Sequence, residues 1–153
     1  MNSRREKRLG KAVASGRKTK ALPDVRSVSI DTELFRWSAQ DIDHDFEGQW
    51  DWHLDAKEAR DILDLLAQTS KLTWREVKDL KTNSKSKTRP LHHGQSIDTI
   101  CPDAQRRLDQ LEIGVDELFR LRHGNLSRLW GHLTGPVFNI VWWDRHHKVC
   151  PVD

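Results

Sequence analysis

The chain has 153 residues, 32% of them charged, two cysteines, seven tryptophans and no tyrosine. That length suits one domain with a proper core, no apolar run approaches the ~20 residues of a membrane span, and two cysteines make no disulfide framework. The formal charge of +3 hides an asymmetry. Eight of the 26 basic residues and one of the 23 acidic ones fall in residues 1–20, so that segment carries +7 and the remainder −4.

Residues 1–24 lack periodicity and end in Pro23-Asp24, which predicts a disordered basic tail ahead of a domain over 25–153. The tail lacks the apolar stretch of a secretory signal, so a cytoplasmic protein with free thiols is expected. From Arg26 to about His44, alternation around Val28, Ile30, Phe35 and Trp37 predicts one or two strands. Glu47-Gly48-Gln49 reads as a turn and Trp50-Asp51-Trp52 as a short returning strand. Asp41, Asp43, Asp45 and Glu47 resemble a calcium loop only in part, because the glycine and terminal glutamate are misplaced. A charged edge is the simpler reading.

Leu54 to Ser70 is a predicted helix with Leu54, Ile62, Leu65 and Leu66 on one side. Thr73-Trp74-Arg75-Glu76 has capping-box spacing and predicts a short second helix. A polar, lysine-rich stretch follows it, and Arg89-Pro90 closes the segment. His92-His93 then falls in a predicted polar loop, as an acid–base pair or metal ligands reaching over the sheet, or as exposed loop residues. Pro102 opens a third predicted helix, to about Leu111.

Three strands come last. ELFRLRH (117–123) and SRLWGHL (127–133) alternate apolar with basic residues, Thr134-Gly135-Pro136 turns the chain, and VFNIVWWD (137–144) is apolar on both sides. If the strands are adjacent, Arg120, Arg122, Arg128, Trp130 and His132 share one sheet surface. The whole predicts an α+β domain: a small antiparallel sheet with two or three helices on one face, the arginines on the other, open face. Such a basic, aromatic face suits phosphate binding and base stacking. Trp37, Trp74 and Trp142 are expected in the core.

The meander LFRLRHG…SRLWGHLTGPVFNIVWWDRHHKV, preceded by a strand and a helical hairpin, resembles the RelE/ParE toxin superfamily. The terminal string is also similar to that of bacterial and phage proteins ending in WWD-x-x-H-x-V-C/Y-P. The superfamily resemblance implies a toxin-like protein of a toxin–antitoxin or phage-derived locus. Its partners would be an antitoxin and mRNA on the ribosome, and its activity metal- and cofactor-free cleavage of RNA through the 2′-hydroxyl. Arg128 would clamp the phosphate, and His147 and His146 would stand at the terminal acid/base position. Arg120 and Arg122 would add charge, and Trp130, His132, His92 and His93 would contact RNA. Asp144, three residues before His147, would orient that imidazole or raise its pKa. The missing tyrosine and the acidic body point to the alternative, a non-catalytic domain of this fold that binds a protein such as gyrase or an antitoxin.

Overall fold

A computed structural model describes residues 29–151; the basic leader over 1–24 lies outside them. Strand β1 (Arg36–Ser38) leads to helix α1 (Ala56–Thr69) and the short helix α2 (Trp74–Asp79). A hairpin follows, β2 (Lys81–Ser84) and β3 (Lys87–Pro90), then β4 (His93–Ser96) and helix α3 (Pro102–Gln110). The chain closes with β5 (Glu117–His123), β6 (Ser127–Thr134) and β7 (Val137–Asp144). Five strands form one sheet in the order β1-β7-β6-β5-β4, while β2 and β3 pair only with each other. No helix of the described residues is long and apolar enough to cross a membrane.

Each helix starts where its chemistry says it should. Asp55 and Glu58 form a reciprocal capping box at α1, and Thr73 and Glu76 form another at α2, each satisfying backbone donors the first turn leaves unpaired. The polar segment after α2 does not extend that helix. Leu80 turns to extended geometry, and Thr82-Asn83-Ser84 pairs with Lys87-Thr88-Arg89 instead. Ser, Asn and Thr side chains compete with helical hydrogen bonds for the backbone, and here Thr88 donates its hydroxyl to Asn83 Oδ1 at 3.1 Å. Likewise His93 lies on a strand rather than in a loop, in register with Arg120 of β5. Residues 26–28, with Val28, lie outside the described residues; of residues 29–44 only Arg36–Ser38 is a named strand, and residues 50–52 form none.

Two expectations about the layers need correcting. The sheet is mixed, because β1 runs parallel to β7. Its two faces are also both covered by helix. Helices α1 and α2 pack Ile62, Leu65, Leu66, Trp74 and Val77 on Phe119, Leu121, Leu129, Phe138, Ile140 and Trp143. Helix α3 packs Ala104 and Leu108 on the opposite face, against Leu118, Trp130, Val141 and Trp142. The tryptophans explain the second layer. Two fully buried indoles on this face make an apolar surface too large to leave wet. Trp37, expected in the core, is instead 42% exposed beside α1.

A bulge in β7 makes that second core possible. Trp130 pairs with Trp142 and Gly131 with Ile140, so Val141 is an extra residue in the ladder. Val141 and Trp142 therefore both join the α3 core while their neighbours Ile140 and Trp143 join the other. A bulged residue loses its ladder partner, and here the Val141 carbonyl is taken up by the Asp43 N–H at 3.1 Å and Trp52 Nε1–H at 2.8 Å. Asp43 in turn accepts from Arg107 Nε at 2.8 Å and Trp142 Nε1 at 2.9 Å, fastening α3 to the sheet. The acidic run thus ends in a buried ion pair.

Opposite the bulge, Gly131 has no room for a side chain. A Cβ there would lie 2.3 Å from the Asn139 carbonyl oxygen and 2.7 Å from the Phe138 ring. Both neighbours are fixed in the sheet, so Gly131→Ala is expected to lower stability by about 1–3 kcal/mol, the usual cost of overpacking. Urea unfolding midpoints of the two proteins check this, and an unchanged midpoint would show that the bulge relaxes freely.

Candidate anion site

Helix α3 covers only half of its sheet face. Beyond Trp130, the registers Arg120↔Trp130 and Arg122↔Arg128 set three arginines on the remaining half, at the end of β5 and the start of β6. The β2–β3 hairpin stands on one side of this patch and the tail after β7 on the other. Together they enclose a cavity of about 450 Å³ lined by Thr82, Lys85, Arg89, Pro90, His93, Arg120, Arg122, Asn125, Leu126, Arg128 and His147. No acidic side chain lines it.

The arginines are held by neutral groups. Arg120 donates from Nε to His93 Nε2 at 2.9 Å, and its Nη1 lies 3.5 Å from His147 Nε2. Arg122 donates from Nε to the Gly124 carbonyl at 2.8 Å. Arg128, only 4% exposed, donates to the carbonyls of Ser127 and Asn125, and its buried Nε–H has no partner. Two arginines elsewhere in the fold are neutralised: Arg107 meets Asp43, and Arg145 meets Glu58 and Asp51. Among the described residues, no carboxylate stands within ion-pair distance of the three pocket guanidiniums.

Uncompensated charges out of water cost several kcal/mol each, and the ionisation of the cluster reflects it. Burial, reinforced by Arg120 and Arg122, brings Arg128 down to about 10. Burial also lowers Arg120, with Arg122 acting in the same direction. Two histidines feel the same field. His147 is lowered to about 4 by burial and then by Arg128, Arg120 and Arg122. His93 is lowered, first by burial and further by Arg120 and Arg128, against a hydrogen bond to the Gly94 carbonyl. That 2.7 Å contact requires a proton on His93 Nδ1, which leaves Nε2 as the acceptor for Arg120. Both imidazoles are therefore neutral at pH 7.

The tail places His147 by anchoring the chain on both sides of it. Trp143 Nε1 and Arg145 Nε both donate to Glu58 Oε2, at 2.7 and 2.9 Å. Asp144, fully buried, accepts from the backbone N–H groups of Lys148 and Val149 at 2.8 and 2.9 Å and from Trp130 Nε1 at 3.2 Å. The chain reverses there, with His147 in the left-handed region at φ 57°. Its imidazole faces Arg120, and its Nδ1 is buried without a partner. Asp144 thus shapes the turn without orienting the imidazole, and the pKa of His147 moves down, not up.

Five of the sequence-derived candidates meet in this pocket: Arg120, Arg122, Arg128, His93 and His147. Four do not. Trp130, expected as a stacking platform, is fully buried under α3. His146 faces solvent outside the pocket. His132 binds Asp41 at 2.8 Å, outside the cavity. His92 is 3% exposed and accepts the Arg122 backbone N–H on Nδ1 at 2.9 Å, a structural bond beneath the site. Lys85, Arg89 and Asn125 were missed as site residues. Lys85 and Arg89 stood within the most basic stretch of the body, but only the hairpin turns that stretch toward the arginines.

Clustered guanidinium donors, one of them with a buried and unpartnered N–H, with no carboxylate lining the cavity, are chemically suited to a phosphate-like anion. No family model, curated protein or solved structure matches the chain.

Two outcomes follow from the charge pattern. Inorganic phosphate is expected to raise the Tm of the protein and to leave Arg128→Met unaffected, although that variant is the more stable one without phosphate because it removes a buried charge. Equal shifts in both proteins would place the effect elsewhere. The second outcome concerns pH. His92 and His147 stand near 4 when folded against 6.5 as the ordinary value. The unfolded chain thus binds more protons between those limits, and stability is highest above pH 6.5 and falls as pH drops toward 4. His92→Asn keeps an acceptor for the Arg122 N–H and removes one titrating group. Its denaturation midpoints should therefore fall less steeply over that range, and an identical slope would show that His92 is not among the groups responsible.

Proposed function

We propose that this protein is a metal-independent endoribonuclease of RelE/ParE-like type, acting as a toxin-like protein on RNA. The observation that carries the reading is the pocket itself, where three arginines without counter-ions stand beside two neutral imidazoles. The order of strand, helix pair, three-strand meander and histidine-bearing tail supports it. Between the helix pair and the meander this chain adds the hairpin, β4 and α3.

The chemistry suited to these groups is attack of a ribose 2′-oxygen on the adjacent phosphorus. A phosphate seated between Arg120 and Arg128 receives N–H donors where negative charge grows in the transition state. His147, neutral at pH 7, accepts the 2′-hydroxyl proton. The P–O5′ bond breaks, the 5′-oxygen takes a proton from water, and a 2′,3′-cyclic phosphate remains. His93 acts through Arg120: its Nε2 holds the guanidinium Nε–H, and its Nδ1–H is fixed on Gly94.

A second reading has its own observation. Beside β1 and α1, Trp37, Ile42, Trp52, Leu54 and Leu63 line an apolar groove of about 250 Å³, with Leu63 60% exposed. A protein partner such as an antitoxin or gyrase would suit such a surface, and under this reading the pocket binds without cleaving.

Inducing the protein in bacteria while mapping RNA 5′ ends tests both. Growth arrest with new cleavage sites is expected, and His147→Ala should reduce cleavage by about 10²–10⁴-fold, the range for a lost acid–base group. Arrest without new 5′ ends would favour the binding reading. Undiminished cleavage by folded His147→Ala and Arg128→Ala proteins would remove both residues from the mechanism.

A further inference from the structure

The β2–β3 hairpin has no core role. Every described residue of β3 is exposed, and the two strands pair only with each other. Its composition is one-sided. Lys81, Lys85, Lys87 and Arg89 supply four cations, and the ribbon from Lys81 to Pro90 contains no acid. The register pairs Thr82 with Arg89 and Ser84 with Lys87, and alternate pairs share one face of an antiparallel ribbon. Thr82 and Arg89 line the arginine pocket, so Lys87 lies on that same face, one step nearer the tip. At the tip, Lys85 and Ser86 both have positive φ, 48° and 67°, the two-residue turn that matches the twist of paired strands. Neither is glycine, so the turn costs roughly 1–2 kcal/mol per residue, and it brings Lys85 to the pocket wall.

We propose that this ribbon is a phosphate-tracking arm, which extends the arginine pocket into a groove for a single-stranded polynucleotide. The inference rests on the reading of the pocket as a phosphodiester site. Its cationic side continues the pocket outward over four residues, about 13 Å at ~3.3 Å per residue, enough for phosphates neighbouring the one on Arg128. A single strand is required because Arg128 lies on the cavity floor, 4% exposed. A flexible chain can lower one phosphate between ribbon and tail, whereas a rigid duplex would be stopped at the rim. Trp130, the indole that alternation placed with the arginines, is buried, and no tryptophan or phenylalanine lines the cavity. Recognition is therefore by backbone charge, with little preference among bases.

The test measures binding of labelled oligouridylates by the full chain carrying His147→Ala, which keeps the RNA intact. A dinucleotide is compared with a single strand long enough to span the ribbon, across a range of salt. With the arm present, the longer strand should bind more tightly and with a steeper salt dependence. The triple change Lys85→Gln, Lys87→Gln, Arg89→Gln should cancel the advantage of length and reduce the log–log salt slope by about 2, since each phosphate contact on a single strand contributes roughly 0.7. Replacing residues 82–89 by a short glycine linker should do the same, and circular dichroism confirms that each variant is folded. A folded variant that keeps both the length advantage and the slope would overturn the arm, as would tighter binding of a duplex of the same length. Failure of the parent protein to bind either strand, or to be stabilised by inorganic phosphate, would overturn the pocket reading beneath it.

Discussion

The buried carboxylate of Asp144 is the constraint from which the site is built. It ends β7 opposite Arg128 in the ladder, where an ion pair would be the obvious use for it. Its oxygens accept instead from two backbone N–H groups of the tail and the indole of Trp130. A carboxylate spent on N–H donors fixes a reversal that the sequence after β7 has no glycine to make. The consequences run in two directions. Trp130 is held under α3, sealing one half of the sheet face, and the tail returns so that His147 overhangs the other half. Losing the acceptor would strand two buried donors, the Val149 N–H and the Trp130 indole, at about 1–3 kcal/mol each, and would loosen the core and the site together.

Segregation of acids is the wider pattern. The body carries more acidic than basic residues, yet none lines the arginine pocket. Asp43 is committed to Arg107 and Trp142, Glu58 to the α1 cap, Trp143 and Arg145, and Asp51 to Arg145 and the backbone around Gly48. Each of these carboxylates fastens a scaffold element, and together they hold the frame that keeps like charges close. Such a frame is needed because a cluster of like charges opposes folding. The packed tryptophans on both faces supply the compensating burial, with fully buried large side chains contributing roughly 1.5–3 kcal/mol or more each.

Much of this was legible in the sequence, for reasons that also mark where it was not. The three terminal strands could be read because basic residues alternate with apolar ones, and that pattern fixes face and register together. Both α2 and α3 announced their starts, through Thr73…Glu76 and Pro102. The arginine cluster followed from alternation alone, and so did the company of Trp130. Alternation gives a face but not what covers it, and α3 lands on the tryptophan half. The bulge at Val141 was hidden because a strand apolar on both sides looks the same with or without an extra residue. The hairpin was hidden for a different reason. Its polar residues carry no hydrophobic period, and its pairing partner is itself, so nothing in a pattern of burial could reveal it.

Proton and phosphate binding would be coupled in the proposed site. Burial and then arginine charge hold His147 near 4, and so the imidazole is a proton acceptor of little strength. An anion between the arginines would cancel part of the field that depresses it. Its pKa must then rise toward the ordinary 6.5, and the same free energy must appear as tighter anion binding at lower pH. Under the proposed chemistry, a stronger base would thus be assembled only when phosphate is present, from groups that are each poorly suited to the task alone. The arrangement also assigns the two histidines unequal parts. His93 is spent at both nitrogens, on Gly94 and on Arg120, whereas His147 keeps a nitrogen without a partner. Under the proposed chemistry, the imidazole with fewer fixed bonds, and not the one held at both nitrogens, is the one suited to move a proton.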